Sequence, residues 1–282
     1  MRLLSWNLFH GRDHAPDSSL HTWRSRLTGR TERDATHAQV NRDLLEEFAS
    51  VLGGAEWDVA LLQECPPRWA ESLADACRAE AHLVLTSRNL PGPLGSLQRA
   101  AATRSPDLVG SWEGGSNLTL ARGAPGTPII RERRELTLTR RPETRRMAFT
   151  ILRDGLCVAN LHASVPRPDA EADVRAAARV ASEWARDSPL VFGGDLNLRP
   201  SSSPQVFDEL ATDLGLAAPT APDAIDHVLA RGLGVASPPT TWKPERREVP
   251  DRDEDHDRVG DTSLRIRLSD HAPVEATFSF MD

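Results

Sequence analysis

Pro189-Leu190-Val191-Phe192-Gly193-Gly194-Asp195-Leu196-Asn197 is the run from which the fold class follows. Its apolar run is short and does not alternate with polar residues, which predicts a strand buried on both faces. The run ends in a carboxylate and an amide that core packing does not ask for. The same design occurs earlier in Asp58-Val59-Ala60-Leu61-Leu62-Gln63-Glu64, again a buried run closed by an acid. Working back from 189, residues 169–187 predict an amphipathic helix with Val174, Ala177, Ala178, Ala181 and Trp184 on one side. Residues 146–153 and 156–163 read as strands joined by a hairpin turn at Asp154-Gly155. Working forward, 205–214 reads as a short helix and 225–229 as a strand.

The ends of the chain follow the same alternation. Residues 2–9 read as a strand and 10–34 as a polar loop. Val40, Leu44, Leu45, Phe48 and Leu52 predict a helix over 37–52, stopped by Gly53-Gly54. Pro66-Pro67 opens a second helix through Trp69, Leu73 and Ala76. Residues 116–122 and 129–139 are further strands. Residues 244–262 read as a charged, mobile loop, with eight acids and four arginines between Glu245 and Asp261. Strand 264–268, a turn at Ser269-Asp270-His271 and strand 273–280 close the chain. With no internal repeat and no linker, residues 1–282 read as a single α+β domain: two sheets face to face, helices outside.

Composition narrows the chemistry. The chain has 282 residues, 39% of them hydrophobic, and a formal net charge of −7. Lys243 is its only lysine and tyrosine is absent, so a tyrosine phenol is excluded from any mechanism and only one lysine amine is available. An acidic total argues against a globally basic nucleic-acid binder, although a local cationic patch or a bound metal can dominate a site. Three cysteines, Cys65, Cys77 and Cys157, are too few for a disulfide framework and point to a reducing, cytoplasmic setting. No apolar run approaches the ~20 residues of a transmembrane helix, and the N-terminus does not read as a secretory signal. A monomer is expected.

Six predicted strand ends carry polar groups: Asn7; Glu64; Asn160-Leu161-His162; Asp195 with Asn197; Ile225-Asp226-His227; and Asp270 with His271. Strand ends at one rim converge, so residues far apart in sequence can form one site. Hard oxygen donors suit Mg²⁺ or Mn²⁺, and histidines with acidic partners move protons near neutral pH. Attack on a phosphate ester is the chemistry this set fits. Zinc is not favoured, because the cysteines lack ligand spacing and no His-Glu-x-x-His occurs.

The ordered set Trp6-Asn7, Gln63-Glu64, Asn160-Leu161-His162, Gly194-Asp195-Leu196-Asn197, Ile225-Asp226-His227 and Ser269-Asp270-His271 resembles the endonuclease/exonuclease/phosphatase superfamily across residues 2 to 280. The resemblance implies a four-layer α/β/β/α sandwich of two packed mixed sheets. It implies Glu64 as the main metal-binding carboxylate, with Asn7 and Asp270 completing or supporting the site. It implies that Asp195 and Asn197 orient the attacking water and contact the phosphate, and that His271 is the active histidine, held by Asp226. His162 matches the additional histidine of the deoxyribonuclease and sphingomyelinase branches, a second proton donor or a phosphate contact. Abasic-site endonucleases carry an acid where Phe9 stands and use a tyrosine this chain lacks; many members read Asp-Tyr at Asp226-His227. These departures favour the two-histidine arrangement.

The favoured function is a Mg²⁺- or Mn²⁺-dependent phosphodiesterase or nuclease, its partner a phosphate-ester substrate and conceivably a nucleic acid. A phosphatase or a phospholipase C- or sphingomyelinase-like hydrolase of a lipid or small ester is the alternative, and a non-catalytic binding protein the second alternative. His10, His14 and Asp13 read by default as a solvated loop. His227 alternates away from Asp226, to pack or face solvent. Asn117 is a possible phosphate contact. Segment 131–146, with seven arginines against three glutamates, reads as a solvated charged face rather than a phosphate track.

Overall fold

The computed structural model describes residues 1–86, 92–104, 114–124, 126–141, 143–217, 220–252 and 264–281. Six strands form the first sheet: β1 (Arg2–Asn7), β4 (Val59–Gln63), β5 (Ala79–Leu85), β6 (Ser116–Arg122), β12 (Leu233–Thr241) and β15 (Val274–Phe280), in the order β12-β15-β1-β4-β6-β5. Five form the second: β7 (Ile130–Thr139), β8 (Arg145–Leu152), β9 (Cys157–His162), β10 (Leu190–Asp195) and β11 (Asp226–Arg231), in the order β11-β10-β9-β8-β7. Both sheets are mixed, because β1 runs parallel to β4 and β9 parallel to β10 while their other pairings are antiparallel. Two short ribbons, β2 (Glu32–Arg33) with β3 (Ala38–Gln39) and β13 (Glu248–Pro250) with β14 (Arg265–Arg267), lie outside the sheets. The helices are α1 (Trp23–Thr28), α2 (Leu45–Gly54), α3 (Ala70–Cys77), α4 (Gly92–Arg104), α5 (Arg167–Ala185) and α6 (Pro204–Leu214). None of them is long and apolar enough to cross a membrane.

Three apolar cores give four layers. Leu3, Val59, Leu61, Val158, Val191, Val228 and Phe278 meet between the sheets. Leu4, Ala60 and Leu62 pack outward with Phe48 of α2 and Leu73 of α3. Ala159, Leu190 and Phe192 pack outward with Val174 and Ala177 of α5 and Leu210 of α6. Successive residues of β4 and β10 therefore enter different cores, and the unbroken apolar runs are the signature of strands buried on both faces. The result is the α/β/β/α sandwich.

Several elements depart from the sequence reading. The helix expected over 37–52 begins only at Leu45. Val40 lies outside the helix but in the same apolar core as Leu44 and Phe48, with its backbone N–H donating to the buried Asp13 carboxylate (2.8 Å), and Asp43 accepts from Leu45 N (2.9 Å) where the helix starts. Gly53-Gly54 form the last turn of α2 rather than stopping it. β5, β12, α1 and α4 were not foreseen. Pro238 and Pro239 disguise β12, which tolerates them as an edge strand with register shifts between Val235 and Thr240. The loop expected over 244–262 is partly regular: a 3₁₀ turn at Pro244–Arg247 leads into β13, and 253–263 lie outside the described residues.

One buried polar contact between the sheets makes a stability prediction. His82 of β5 is bonded through Nδ1 to Thr150 Oγ1 of β8 at 2.8 Å. Burial, and then the nearby Arg133, pulls the His82 ring from its ordinary 6.5 down to about 4. Between those values the unfolded chain takes up a proton that the folded chain refuses, so stability is full above about pH 6.5 and falls as pH drops. The loss should reach about 2–3 kcal/mol between about pH 7 and about pH 4.5. Denaturant titrations should show His82→Gln losing less over that interval; an identical loss would remove His82 as the cause.

Candidate active site

Strand register builds one half of the site. In the second sheet, Asp195 pairs with His162 across β10–β9 and with Asp226 across β10–β11. His162, Asp195 and Asp226 thus stand side by side at one rim. In the first sheet, Asn7 pairs with Gln63 at the ends of β1 and β4, and Glu64 follows directly. β15 is antiparallel to β1, with Val274 opposite Ser5, so the Asp270-His271 turn before it reaches the same rim. A cavity of about 310 Å³ opens there, lined by Asn7, Glu64, His162, Asp195, Asn197, Asp270 and His271, together with His10, Arg12 and Arg145.

Backbone conformation marks the rim independently. Seven described non-glycine residues have φ between 48° and 61°, and five of them, Phe9, His10, Glu64, Asn197 and Ser269, lie within three residues of the ends of β1, β4, β10 and β14. Such backbone is unfavourable for residues with a Cβ and collects where surrounding structure holds a side chain in a functional position. The turn before β15 is tied down tightly. Ser269 Oγ donates to Asn7 O (2.7 Å) and accepts from His271 N (3.0 Å), Trp6 Nε1 donates to His271 O (3.0 Å), and the buried Arg247 donates to Leu268 O and Ser269 O.

Asp195 is the hub. Its Oδ2 accepts from Asn7 Nδ2 (2.9 Å) and lies 3.6 Å from His162 Nε2 and 3.8 Å from His271 Nε2, while its Oδ1 accepts from Asn197 N (3.1 Å). Asp226 Oδ2 accepts from His271 Nδ1 at 2.8 Å. Burial, and then the Asp226 charge, pushes the Asp195 carboxyl up to about 7. Burial opposes a charged His271, yet the hydrogen bond and charge of Asp226, with Asp195 and Asp270, raise that ring to about 10. His162 is driven the other way, well below its ordinary value, by burial and then by Arg145, His271 and His10. One site therefore holds a cationic and a neutral histidine.

Glu64 and Asp270 face the same cavity. Burial, and next the Asp270 charge, raises the Glu64 carboxyl. A buried Glu64 carboxyl whose ionisation is hindered by a neighbouring acid marks a donor set short of positive charge, and hard oxygens fit a divalent cation there. Asn7 is adjacent, but its Oδ1 already accepts from Phe9 N (2.9 Å), leaving one lone pair for a ligand. A second grouping, Asp195, Asp226 and His271, has donor atoms within 4.8 Å of one another. It offers two carboxylates and an imidazole to a cation on the opposite side of Asp195 from His162.

Some expectations need correcting. His10 is no solvated loop residue: it lines the cavity with Nε2 3.3 Å from Glu64 Oε2. Asp13 is buried and accepts from Gln39 Nε2 (2.7 Å) as well as from Val40 N. His14 is not among the cavity residues and packs 4.3 Å from the His21 ring. His227 is fully buried, donating through Nε2 to Leu198 O and Ala224 O (both 3.0 Å). Asn117 is also fully buried and donates to Arg146 O (2.7 Å). Gly193 and Gly194 are required by strand packing: a Cβ on Gly194 would stand 2.0 Å from Leu161 O, and one on Gly193 2.6 Å from His227 O. Asn197 lies beyond β10, and an Asx turn with left-handed Asn197 brings it beside Asp195.

Segment 131–146 is mostly an ion-paired face, with Arg133 on Glu80, Arg134 on Glu132 and Arg146 on Glu135. Arg145 is the exception. It is buried, lines the cavity, donates to Glu143 Oε2 (3.0 Å) and lies 3.2 Å through Nη1 from His162 Nδ1. A period-2 reading had the signal for it, since Arg145 shares a face of β8 with the buried Met147 and Phe149. His10 had no such signal; its place depends on the 3₁₀ turn Phe9–Gly11.

A family-model comparison matches residues 4–271 to the Endonuclease/Exonuclease/phosphatase family. Among solved structures, an endonuclease/exonuclease/phosphatase family protein from Bacteroides thetaiotaomicron is similar at 14% identity and TM-score 0.62, with 100% of this chain and 98% of that one covered. The mannosyl-6-phosphatase Bt3783 of the same species is similar at 14% identity and TM-score 0.62, covering 99% and 100%. Truncated TDP2 from Caenorhabditis elegans is similar at 15% identity and TM-score 0.52, covering 99% and 96%. No curated protein sequence matches. At these identities the structures speak for the fold. The family match, which runs from β1 to His271 and takes in both rims of the cavity, carries the assignment: the chain belongs to the endonuclease/exonuclease/phosphatase family.

Proposed function

We propose that the protein is a metal-dependent hydrolase of phosphate esters, acting as a phosphodiesterase. The observation that carries this reading is the buried Asp195 carboxyl, poised near neutrality between Asn7, His162 and His271. Asp195 accepts the proton of the attacking water as the new P–O bond forms. Asn197 turns its amide toward the same space, with Nδ2 anchored on Ala163 O (3.0 Å). The cationic His271, oriented by Asp226, offsets charge on the phosphoryl oxygens and yields its Nε2 proton to the departing alkoxide, which is far more basic than imidazole. A Mg²⁺ or Mn²⁺ ion held by Glu64 and Asp270, with Asn7 beside them, would polarise a phosphoryl oxygen. Three buried free cysteines support a reducing, cytoplasmic setting, in which we propose that the protein acts as a monomer.

A phosphatase of small esters is the second reading, and one observation favours it. A neighbouring cavity of about 450 Å³ shares Glu143, Arg145 and Val165 with the first and adds Arg141, Asp169 and Asp173. Three carboxylates against two guanidiniums offer little to a polyanionic strand. The similarity to a mannosyl-6-phosphatase agrees with a small substrate.

The test is a panel of plasmid DNA, RNA, sphingomyelin, inositol phosphates and bis-p-nitrophenyl phosphate, each with Mg²⁺, with Mn²⁺ and with chelator. Hydrolysis of at least one member, lost with chelator, is expected. Glu64→Gln should weaken Mn²⁺ binding at least about tenfold. No turnover together with no Mn²⁺ binding would end the proposal.

A further inference from the structure

Two histidines flank Asp195, and partners of opposite charge address their Nδ1 atoms. For His271 the partner is the Asp226 carboxylate. For His162 it is the Arg145 guanidinium, with Nη1 3.2 Å from Nδ1. A guanidinium has five N–H donors and nothing that accepts. A hydrogen bond between the two therefore requires a bare Nδ1 on His162. A ring with one bare nitrogen is neutral and carries its proton on the other, here Nε2. That Nε2 lies 3.6 Å from Asp195 Oδ2, in a ring that lines the cavity. Glu64 Oε1 is 3.9 Å from Nδ1, too far to hold a proton there. Arg145 is itself held, since its Nη2 donates to Glu143 Oε2 at 3.0 Å.

We propose that Arg145, steered by Glu143, is a positioning residue that locks His162 as the neutral Nε2–H tautomer. His162 is then a fixed hydrogen-bond donor to a phosphoryl oxygen and not a source of a proton. A donor held in place before the reaction stabilises developing charge without reorganising. Proton transfer is left to Asp195 and His271. The consequence for rate rests on the proposed hydrolase reading; the tautomer does not.

The test reads the imidazole nitrogens of the full-length chain by long-range ¹H–¹⁵N NMR, with His162 assigned by comparison with His162→Gln. The wild type should show Nδ1 bare and Nε2 protonated. Arg145→Met keeps a long side chain but cannot donate, and a second population protonated at Nδ1 should appear. Arg145→Lys restores a donor-only partner and should restore the single tautomer. On a substrate the panel identifies, kcat of Arg145→Met should fall at least about tenfold, with Arg145→Lys recovering part of it. Mn²⁺ affinity and Tm, measured in parallel, should be unchanged in both. A wild-type ring protonated at Nδ1 would overturn the proposal, as would a single unaltered tautomer in Arg145→Met. A loss of rate without a tautomer change would also overturn it, because Arg145 would then act on the substrate directly. If no panel member is hydrolysed, the NMR result still decides the tautomer, and the failure falls on the hydrolase reading alone.

Discussion

Replacing Asp195 with asparagine should lower kcat by at least about 10²-fold at saturating metal, because in the proposed mechanism the attacking water loses its proton acceptor. The substitution is nearly isosteric, and its effects on rate and stability should run in opposite directions. Asp195 is buried beside Asp226, and its carboxyl is raised accordingly. Ionising it at neutral pH costs the folded state free energy, which a neutral amide does not. One interaction works against the variant: Asn7 Nδ2, which donates to Asp195 Oδ2, would face the new amide N–H₂ group. Asn197 N keeps its acceptor. Tm should be unchanged or higher, and Mn²⁺ affinity should hold if, as proposed, Glu64 and Asp270 hold the ion. Near-wild-type turnover would shift the proton work away from Asp195, leaving His271 as the group to test.

Arg122→Ala should cost about 3–5 kcal/mol of stability and roughly 6–15 °C in Tm, with kcat intact. The Arg122 guanidinium ties off two helix ends at once. Nη2 donates to Leu52 O (3.0 Å) and Gly53 O (3.3 Å) in α2, Nη1 to Ala55 O (2.8 Å) and Trp57 O (3.3 Å), and Nε to Cys77 O (3.1 Å) at the end of α3. Its plane also lies 3.7 Å over the Trp57 ring. Helix-end carbonyls have no partner within the helix, and a cation among them is favoured by the helix dipoles. Alanine leaves all five without that donor and uncovers a tryptophan. Lysine should recover little, since a point charge cannot span five acceptors. β6 starts at Ser116, whose Oγ donates to Cys65 O beside Glu64. Arg122 is at its other end, about 20 Å away at ~3.4 Å per residue, so the active site should not register the change. Calorimetry with a parallel rate measurement checks both halves; a Tm within about 2 °C of wild type would mean that water replaces the guanidinium.

How much of this was legible in the sequence depends on how local each signal is. The buried strands β4 and β10 were readable because an unbroken apolar run has one physical meaning when helices cover one face and a sheet the other. The helix α5 was readable because its apolar residues keep helical spacing over five turns. β12 was hidden because its prolines are tolerated only at a sheet edge, and whether a strand lies at an edge is settled by the other strands. The false start of α2 has a similar origin: Val40 has helical spacing from Leu44 and enters the same core, yet its backbone N–H is bonded to Asp13, a partner 27 residues away, rather than within a helix.

The candidate site divides along the same line. The polar residues at the ends of buried strands are evident from the order of residues alone, because a carboxylate or amide beside an apolar run has no packing role. That reading reaches Asn7, Glu64, His162, Asp195, Asn197, Asp226, Asp270 and His271. What each of them faces depends on how the two sheets pack. Register placed Asp195 between His162 and Asp226, a left-handed turn brought His10 to Glu64, and the start of β8 brought Arg145 to His162. Protonation followed from those neighbours, so that one histidine is cationic beside Asp226 and the other neutral beside Arg145. Charge state depends on distance and burial, which a linear order of residues does not contain.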